Sequence, residues 1–346
     1  NCKRDINFMY LLEGKPVPDH ATFAHFRSIY FAPCAKRIFA EMSNLLYELG
    51  EISGETIFID GTKIEACANK YTFVWKKAVT KNQAKLLIKI ANLIAECEQL
   101  YGIRIVHGDI VKMKHVKRLR KKLYALKQEE NIVFVHGIGK RKTRLQRSIE
   151  TLEDYLDRLK GYTKKLHICG KRNSYSKTDP DATFMRMKDV WSGKGQLKPA
   201  FNLQHGVDSE YIVWLTIGPQ PTDTTTLIPF LKETEEYLAF KYQKIIADAG
   251  YESEENYVFL DTNQQLAFIK PSNYEISKKR KYKNDIGHIE NMDYDEKSDS
   301  YICKNGKQLS FTYIRRSKSK TGYISEKNIY QCKECKDCPY KKECIK

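Results

Sequence analysis

The stretch Thr56–Ala66, TIFIDGTKIEA, decides how the rest of the chain is read. Ile57, Phe58 and Ile59 form a short apolar, β-rich run, and Ile64 continues it beyond Gly61. That pattern predicts a buried strand carrying Asp60 in its middle. An ionised carboxylate in apolar surroundings is costly unless it is paired or holds a metal ion. The plainer alternative is an Asp at a strand end bonding a turn. A second apolar run of the same kind, Lys244–Asp248 (KIIAD), ends in Asp248 and is followed by Gly250.

Between these two segments the periodicity changes. From Thr80 to Lys165 it is helical: Leu86, Ile90, Leu93, Cys97 and Leu100 form one stripe, Val116, Leu119, Leu123 and Leu126 a second, and Leu145, Ile149, Leu152, Leu156 and Leu159 a third. Three heptad-like stripes imply a small antiparallel bundle. The faces away from the stripes carry Lys112, Lys114, Lys117, Arg118, Arg120, Lys121 and Lys122. The loop near Gly137–Gly139 leads into Lys140, Arg141, Lys142, Arg144 and Arg147. After Thr178 the strand pattern returns. Ala200–Val207 and Tyr211–Ile217 flank the turn 208–210 as a hairpin, Asp223 caps a helix through Leu238, a helix follows near Glu252–Leu260, and Leu266–Lys270 is a last strand. Upstream, Asp19 caps a short helix through Phe26. Pro33 then opens a longer one with the stripe Ile38, Met42, Leu45, Leu46 and Leu49 and Gly50 as its stop.

Without the helical block the order is three strands, a helix, a strand, a helix and a strand, which suits a mixed five-stranded sheet. In that topology the fourth strand lies parallel to the first and beside it. Asp60 and Asp248 then become neighbours, and adjacent carboxylates repel unless a divalent cation relieves them. Sites of that kind run phosphoryl transfer with two ions.

Composition bounds the partners. The 346 residues carry a formal net charge of +17, with 41% hydrophobic and 12% aromatic residues, enough for about two folded domains. Mean hydropathy is −0.58 and the apolar runs are short, so no segment suits a bilayer, and a soluble, basic, intracellular protein is expected. Residues 80–178 hold 24 Lys+Arg against 9 Asp+Glu, a net of +15. A field that concentrated suits a polyanion, nucleic acid first, although a solvated basic arm is the bland alternative. Of the ten cysteines, Cys2, Cys34, Cys67, Cys97 and Cys169 are scattered, while Cys303, Cys332, Cys335, Cys338 and Cys344 crowd the tail. The spacing Cys332-x2-Cys335-x2-Cys338-x5-Cys344 offers four thiolates for a structural Zn2+, with an iron–sulfur cluster or no metal as alternatives.

The strings IDGTKIEA (Ile59–Ala66), NKYTFVWKK (Asn69–Lys77), LKPAFNLQHGVDSEY (Leu197–Tyr211) and IADAGYESEENY (Ile246–Tyr257), with the Cys-rich tail, resemble insertion-sequence transposases of the DDE type. NFMYLLEGKPVPDHATFAHFR (Asn7–Arg27) is similar to the end of their N-terminal helical region. The resemblance implies an α/β, ribonuclease-H-like mixed five-stranded sheet interrupted by an α-helical insertion, with an N-terminal helical region and a small Cys-rich C-terminal segment. The corresponding parts are residues 1–50, 51–79 and 179–271 for the two catalytic portions, 80–178 for the basic insertion, and 272–346 for the basic, Cys-rich segment. It further implies Mg2+ or Mn2+ at Asp60 and Asp248, the family's first two acidic residues, with Asp208 as a rival for the second. The partner implied is double-stranded DNA, both element ends and target, held by a homodimer.

The family's third acidic residue is a Glu on a helix after the Cys-rich segment. This chain stops at Lys346, and neither Glu275 nor Glu290 sits in a matching motif. That ending and the start at Asn1 lead us to expect a chain truncated at both ends. The expected function is divalent-metal-dependent phosphodiester hydrolysis and strand transfer at element ends. The alternatives are a catalytically incomplete DNA-binding remnant, a metal-dependent nuclease of the same fold, or a helical scaffold for protein partners.

Overall fold

A computed structural model describes residues 2–187, 195–319 and 321–345. The chain divides into two compact units, one of residues 1–62, 203–217 and 222–346, the other of residues 63–202 and 218–221. In chain order the elements are α1 (Ile6–Leu12), α2 (His20–His25), α3 (Ala32–Glu48), β1 (Thr56–Glu65), β2 (Phe73–Trp75), α4 (Lys76–Tyr101), α5 (Met113–Glu129) and α6 (Arg144–Cys169). Then come β3 (Ser174–Ser176), β4 (Thr183–Arg186), β5 (Leu197–Asp208), β6 (Tyr211–Gly218), α7 (Leu227–Tyr237), β7 (Lys244–Ala247), α8 (Glu254–Thr262) and β8 (Leu266–Ile269). The chain continues through α9 (Tyr274–Ser277), α10 (Arg280–Lys283), β9 (Asp293–Asp295), β10 (Ser300–Ile302), β11 (Gln308–Lys318), β12 (Ile324–Gln331) and α11 (Lys341–Cys344).

In the first unit the strands run in the order β6-β5-β1-β7-β8. β1 and β7 pair in parallel, as do β7 and β8, which requires the crossover helices α7 and α8. Hydrophobic alternation places Ile57 and Ile59 on one face of β1, packed with Trp214, Phe230, Leu231, Ile245, Tyr251 and Leu260. Ala40 and Ser43 of α3 also turn inward, and the Ser43 hydroxyl donates to the Val213 carbonyl at 2.8 Å.

Two expectations for the N-terminal helices need correction. Asp19 caps α2 as predicted, its carboxylate accepting from the Ala21 amide at 2.9 Å, and Pro33 lies in the first turn of α3. No turn separates the two helices, however, because a π-helical segment at Phe26–Phe31 carries one into the other. The stripe Ile38, Met42, Leu45 and Leu49 faces outward, each residue more than 40% exposed, and only Leu46 packs against the core. Helical spacing marks an apolar face but not what covers it.

The second unit holds the bundle α4, α5 and α6. Its core is Leu86, Ile90, Leu93, Cys97, Val116, Leu119, Leu123, Leu145, Ile149, Leu152, Leu156 and Leu159, with Leu126 at its edge and Leu100 left exposed. Burial pushes the Cys97 thiol up to about 11, keeping it protonated. β2 and β3 pair antiparallel here, and β4 pairs with the start of β5. Through that pairing β4 becomes a sixth strand of the main sheet, where five were expected. The short β4 is easily overlooked, since Thr183–Arg186 offers too few residues for a clear alternation.

His115 is buried at the start of α5, and its Nδ1 accepts from the Lys112 amide at 3.1 Å, which requires the neutral ring. Burial, followed by the charges of Lys114, His107, Arg118 and Lys112, holds its pKa below the ordinary value. The unfolded chain therefore binds a proton more readily near pH 6.5 than the folded one, and stability falls as pH drops through that value. We expect His115→Gln to flatten the acid side of the bundle's stability profile between about pH 7 and 5, read from chemical denaturation followed by circular dichroism.

Residues 272–346, expected only as a basic, Cys-rich segment, build a four-stranded antiparallel sheet in the order β12-β11-β10-β9. Its strands escaped the sequence reading because they are polar and short of apolar alternation. The β11–β12 hairpin reaches α8, where Tyr323 donates to Glu254 at 2.8 Å and Thr321 to Glu255 at 2.6 Å.

Candidate active site

The parallel register of β1 and β7 sets Ile59 opposite Ala247, so the next residues, Asp60 and Asp248, stand side by side. Asp60 is not buried as the apolar run suggested. It lies on the exposed face of β1, since the alternation that buries Ile57 and Ile59 turns Phe58 and Asp60 outward. The desolvation argument therefore does not apply to it, and what the register offers instead is two acids on neighbouring strands. Each carboxylate is oriented locally: Asp60 accepts from the Gly61 amide at 2.7 Å and Asp248 from the Gly250 amide at 2.8 Å. Asp248 is the N-cap of the short 3-10 turn Ala249–Tyr251.

A third carboxylate joins them. Asp223 was read as a helix cap, but the N-cap of α7 is Thr226, and the Asp223 side chain turns toward Gly61 and Gln204. Gln204 of β5 donates to Asp223 Oδ1 at 3.0 Å and accepts from the Tyr251 hydroxyl in a short bond. The buried Tyr251 phenol is pushed far above its ordinary pKa, by burial first and then by the charges of Asp223, Asp60 and Asp248. It therefore stays protonated and keeps donating. Asn256 locks this corner, donating to the Tyr251 carbonyl at 2.6 Å and the Thr224 carbonyl at 3.1 Å. Nothing in the local sequence separates Asp223 from an ordinary cap; only Gln204, nineteen residues upstream, reveals its role.

Gly61 makes this approach feasible. A Cβ there would stand 2.6 Å from Asp223 Oδ1 and 2.7 Å from Gln204 Nε2, and one at Gly250 would stand 2.9 Å from Asp248 Oδ1 and 3.3 Å from Asp223 Oδ2. We expect Gly61→Ala to break the Gln204–Asp223 bond and to cost about 1–3 kcal/mol through overpacking, measured as a lowered urea midpoint.

The rival acids lie elsewhere. Asp208 is buried, accepting from the Gly54 amide at 2.8 Å and from Ser53 and Ser209 hydroxyls, so it fastens the hairpin end to the segment entering β1. Glu275 pairs with Lys270 at 2.8 Å, and Glu290 accepts from Tyr282 at 2.8 Å.

The basic residues of the bundle fall into two groups. Arg120 is bound to Glu153 at 2.6 Å and Lys142 to Glu150 at 2.6 Å, Lys122 donates to the Arg104 carbonyl, and Arg147 donates to the Lys142 carbonyl. Lys112, Lys114, Lys117, Arg118, Lys121, Lys140, Arg141 and Arg144 are exposed and make no ion pair among the described residues. None of the ten cysteines forms a disulfide. Cys332, Cys335, Cys338 and Cys344 line one cavity of about 390 Å³, and Cys303, left out of the ligand set on spacing, lines it too.

Among the described residues, no group of three or more His, Cys, Asp or Glu side chains is placed so that it could hold a metal ion as it stands, and no helix is long and apolar enough to cross a membrane. No curated protein and no solved structure matches the chain. Residues 172–332, which include Asp208, Asp223 and Asp248, match the family model described as the transposase DDE domain, so this part of the chain is similar to the DDE domain of insertion-sequence transposases.

Proposed function

We propose that the chain cleaves DNA at the ends of an insertion sequence and transfers the freed strand into target DNA, with Mg2+ or Mn2+ as the metal. The observation that carries this reading is the meeting of Asp60 and Asp248 on adjacent parallel strands. The strand order β6-β5-β1-β7-β8 supports the ribonuclease-H-like assignment. The donors fit the metal in type, being hard carboxylate oxygens of two exposed residues, one within β1 and one just after β7. Asp60 and Asp248 would hold the ions, with water and phosphate oxygens completing the shell. The chemistry such ions would supply there is activation of the attacking oxygen and stabilisation of the leaving one.

The chain's own residues do the positioning. The amides of Gly61 and Gly250 orient the two carboxylates, and the series Tyr251–Gln204–Asp223 fixes a third negative group beside them. No covalent protein intermediate is needed, because in-line placement and charge neutralisation supply the rate. Exposed cations of α5 and of the stretch entering α6 hold the phosphate backbone, and two copies would hold the two element ends. The test is incubation of a labelled element end with target plasmid in Mg2+. Joined products support transposition, nicked but unjoined ends indicate a plain nuclease, and binding without cleavage indicates a remnant.

A further inference from the structure

The four-stranded sheet β9–β12 lacks an apolar core. Of the described residues from 285 to 345, Ser300 alone is buried, and β11 is exposed along almost its whole length. A sheet this small and open needs a staple other than hydrophobic burial. Its disulfide alternative is not in place, since the cysteines are free thiols.

The register shows where a staple would sit. Ile302 faces Gln308 and Ser310 faces Gln331, so Cys303 at the end of β10 and Cys332 at the end of β12 flank β11 on either side. Cys303 opens a tight turn: its amide donates to the Lys307 carbonyl at 2.9 Å, the Gly306 amide donates to the Cys303 carbonyl at 2.8 Å, and Gly306 takes φ +67°. An ion pair from Lys307 to Glu334 ties that turn to the segment after β12. The Cys332 and Cys335 thiols bond each other, and Cys332, Cys338 and Cys303 all lie close enough to act on Cys335. Cys303, Cys338 and Cys332 act on Cys344 in the same way, so Cys303 is near both ends of the tail set.

We propose that Cys303, Cys332, Cys335 and Cys338 bind one structural Zn2+, and that this ion rather than apolar packing holds the sheet β9–β12 together. The thiols line the cavity without meeting at a point, so the ion draws them together by side-chain rotation while they release their protons. Two ligand-bearing turns, one closing β10 and one following β12, then clamp the sheet from one end. The proposal stands independently of the transposase reading, because it involves none of the acidic residues.

The experiment uses the full chain purified under reducing conditions, with zinc content measured and Co2+ substituted for Zn2+. Expected are one Zn2+ per chain and intense thiolate-to-Co2+ charge-transfer absorption. Cys303→Ser should lose about a quarter of that absorption and weaken zinc binding by at least roughly 100-fold. Cys344→Ser should leave both unchanged. Cys303→His, which restores a donor, should recover affinity with a three-thiolate spectrum, separating ligand loss from failure to fold. Full absorption and stoichiometry in Cys303→Ser would overturn the proposal in favour of a tail-only site. An iron–sulfur spectrum, or a wild-type chain without zinc, would overturn it as well.

Discussion

Asp60→Ala is expected to lower DNA cleavage by roughly 10³-fold or more, since removing a ligand forfeits several kcal/mol of metal-borne transition-state stabilisation. Asp248→Ala should do the same, because the register makes the two carboxylates one unit. The double variant should then be little worse than either single one, as residues that act together are not additive. A second readout separates chemistry from collapse. Mg2+ or Mn2+ should raise the melting temperature of the wild-type chain and leave that of both variants unmoved. Asp208→Asn supplies the contrast. It disturbs buried bonds to Ser53 and Gly54, so it should lose about 1–3 kcal/mol of stability while retaining the metal-dependent thermal shift. Cleavage that survives Asp60→Ala unchanged in the same assay removes the catalytic proposal.

Neutralising the exposed, unpaired cations should produce the second large effect. Replacing Lys117, Arg118, Lys121, Lys140, Arg141 and Arg144 by Gln removes up to six phosphate contacts. The slope of log K against log[salt] should then fall by as much as about five, and affinity near 50 mM salt should drop by roughly a thousandfold. Arg120 and Lys142 offer the internal control. Their charges already face Glu153 and Glu150, so replacing these two should change the slope by less than about one while weakening the bundle slightly. Binding measured by fluorescence anisotropy across a salt series decides between them. An unchanged slope in the six-fold variant means that the bundle is not the DNA grip.

The helical stripes of the bundle were legible residue by residue. Burial of Leu86, Ile90, Leu119, Leu123, Leu152 and Leu156 follows from a 3.6-residue repeat that each helix carries within itself. The alternation in β1 and the apolar run in β7 were legible for the same reason, and so was their adjacency once strand order was considered. The N-terminal stripe shows where this reasoning stops. Ile38, Met42 and Leu45 have the same spacing as a buried face, yet α3 packs through Ala40 and Ser43.

Polar residues were harder still. Asp223 in PTDTT has the local signature of a cap, and its place beside Asp60 and Asp248 depends on Gln204, Gly61 and Tyr251, which come from three other segments. Cys303 stands apart from the closely spaced Cys332, Cys335 and Cys338 in sequence, and the pairing of β10, β11 and β12 brings it beside them.

The amino-acid sequence by itself determined the helices of the bundle, the strands that carry Asp60 and Asp248, and the concentration of positive charge, because periodicity and composition act locally along the chain. The tertiary structure alone decided that Asp60 is exposed, that Asp223 completes the acidic cluster, and that five thiols share one cavity. Each of these depends on which distant backbone lies alongside, and a side chain's role is set by the partner it meets there rather than by its neighbours in sequence.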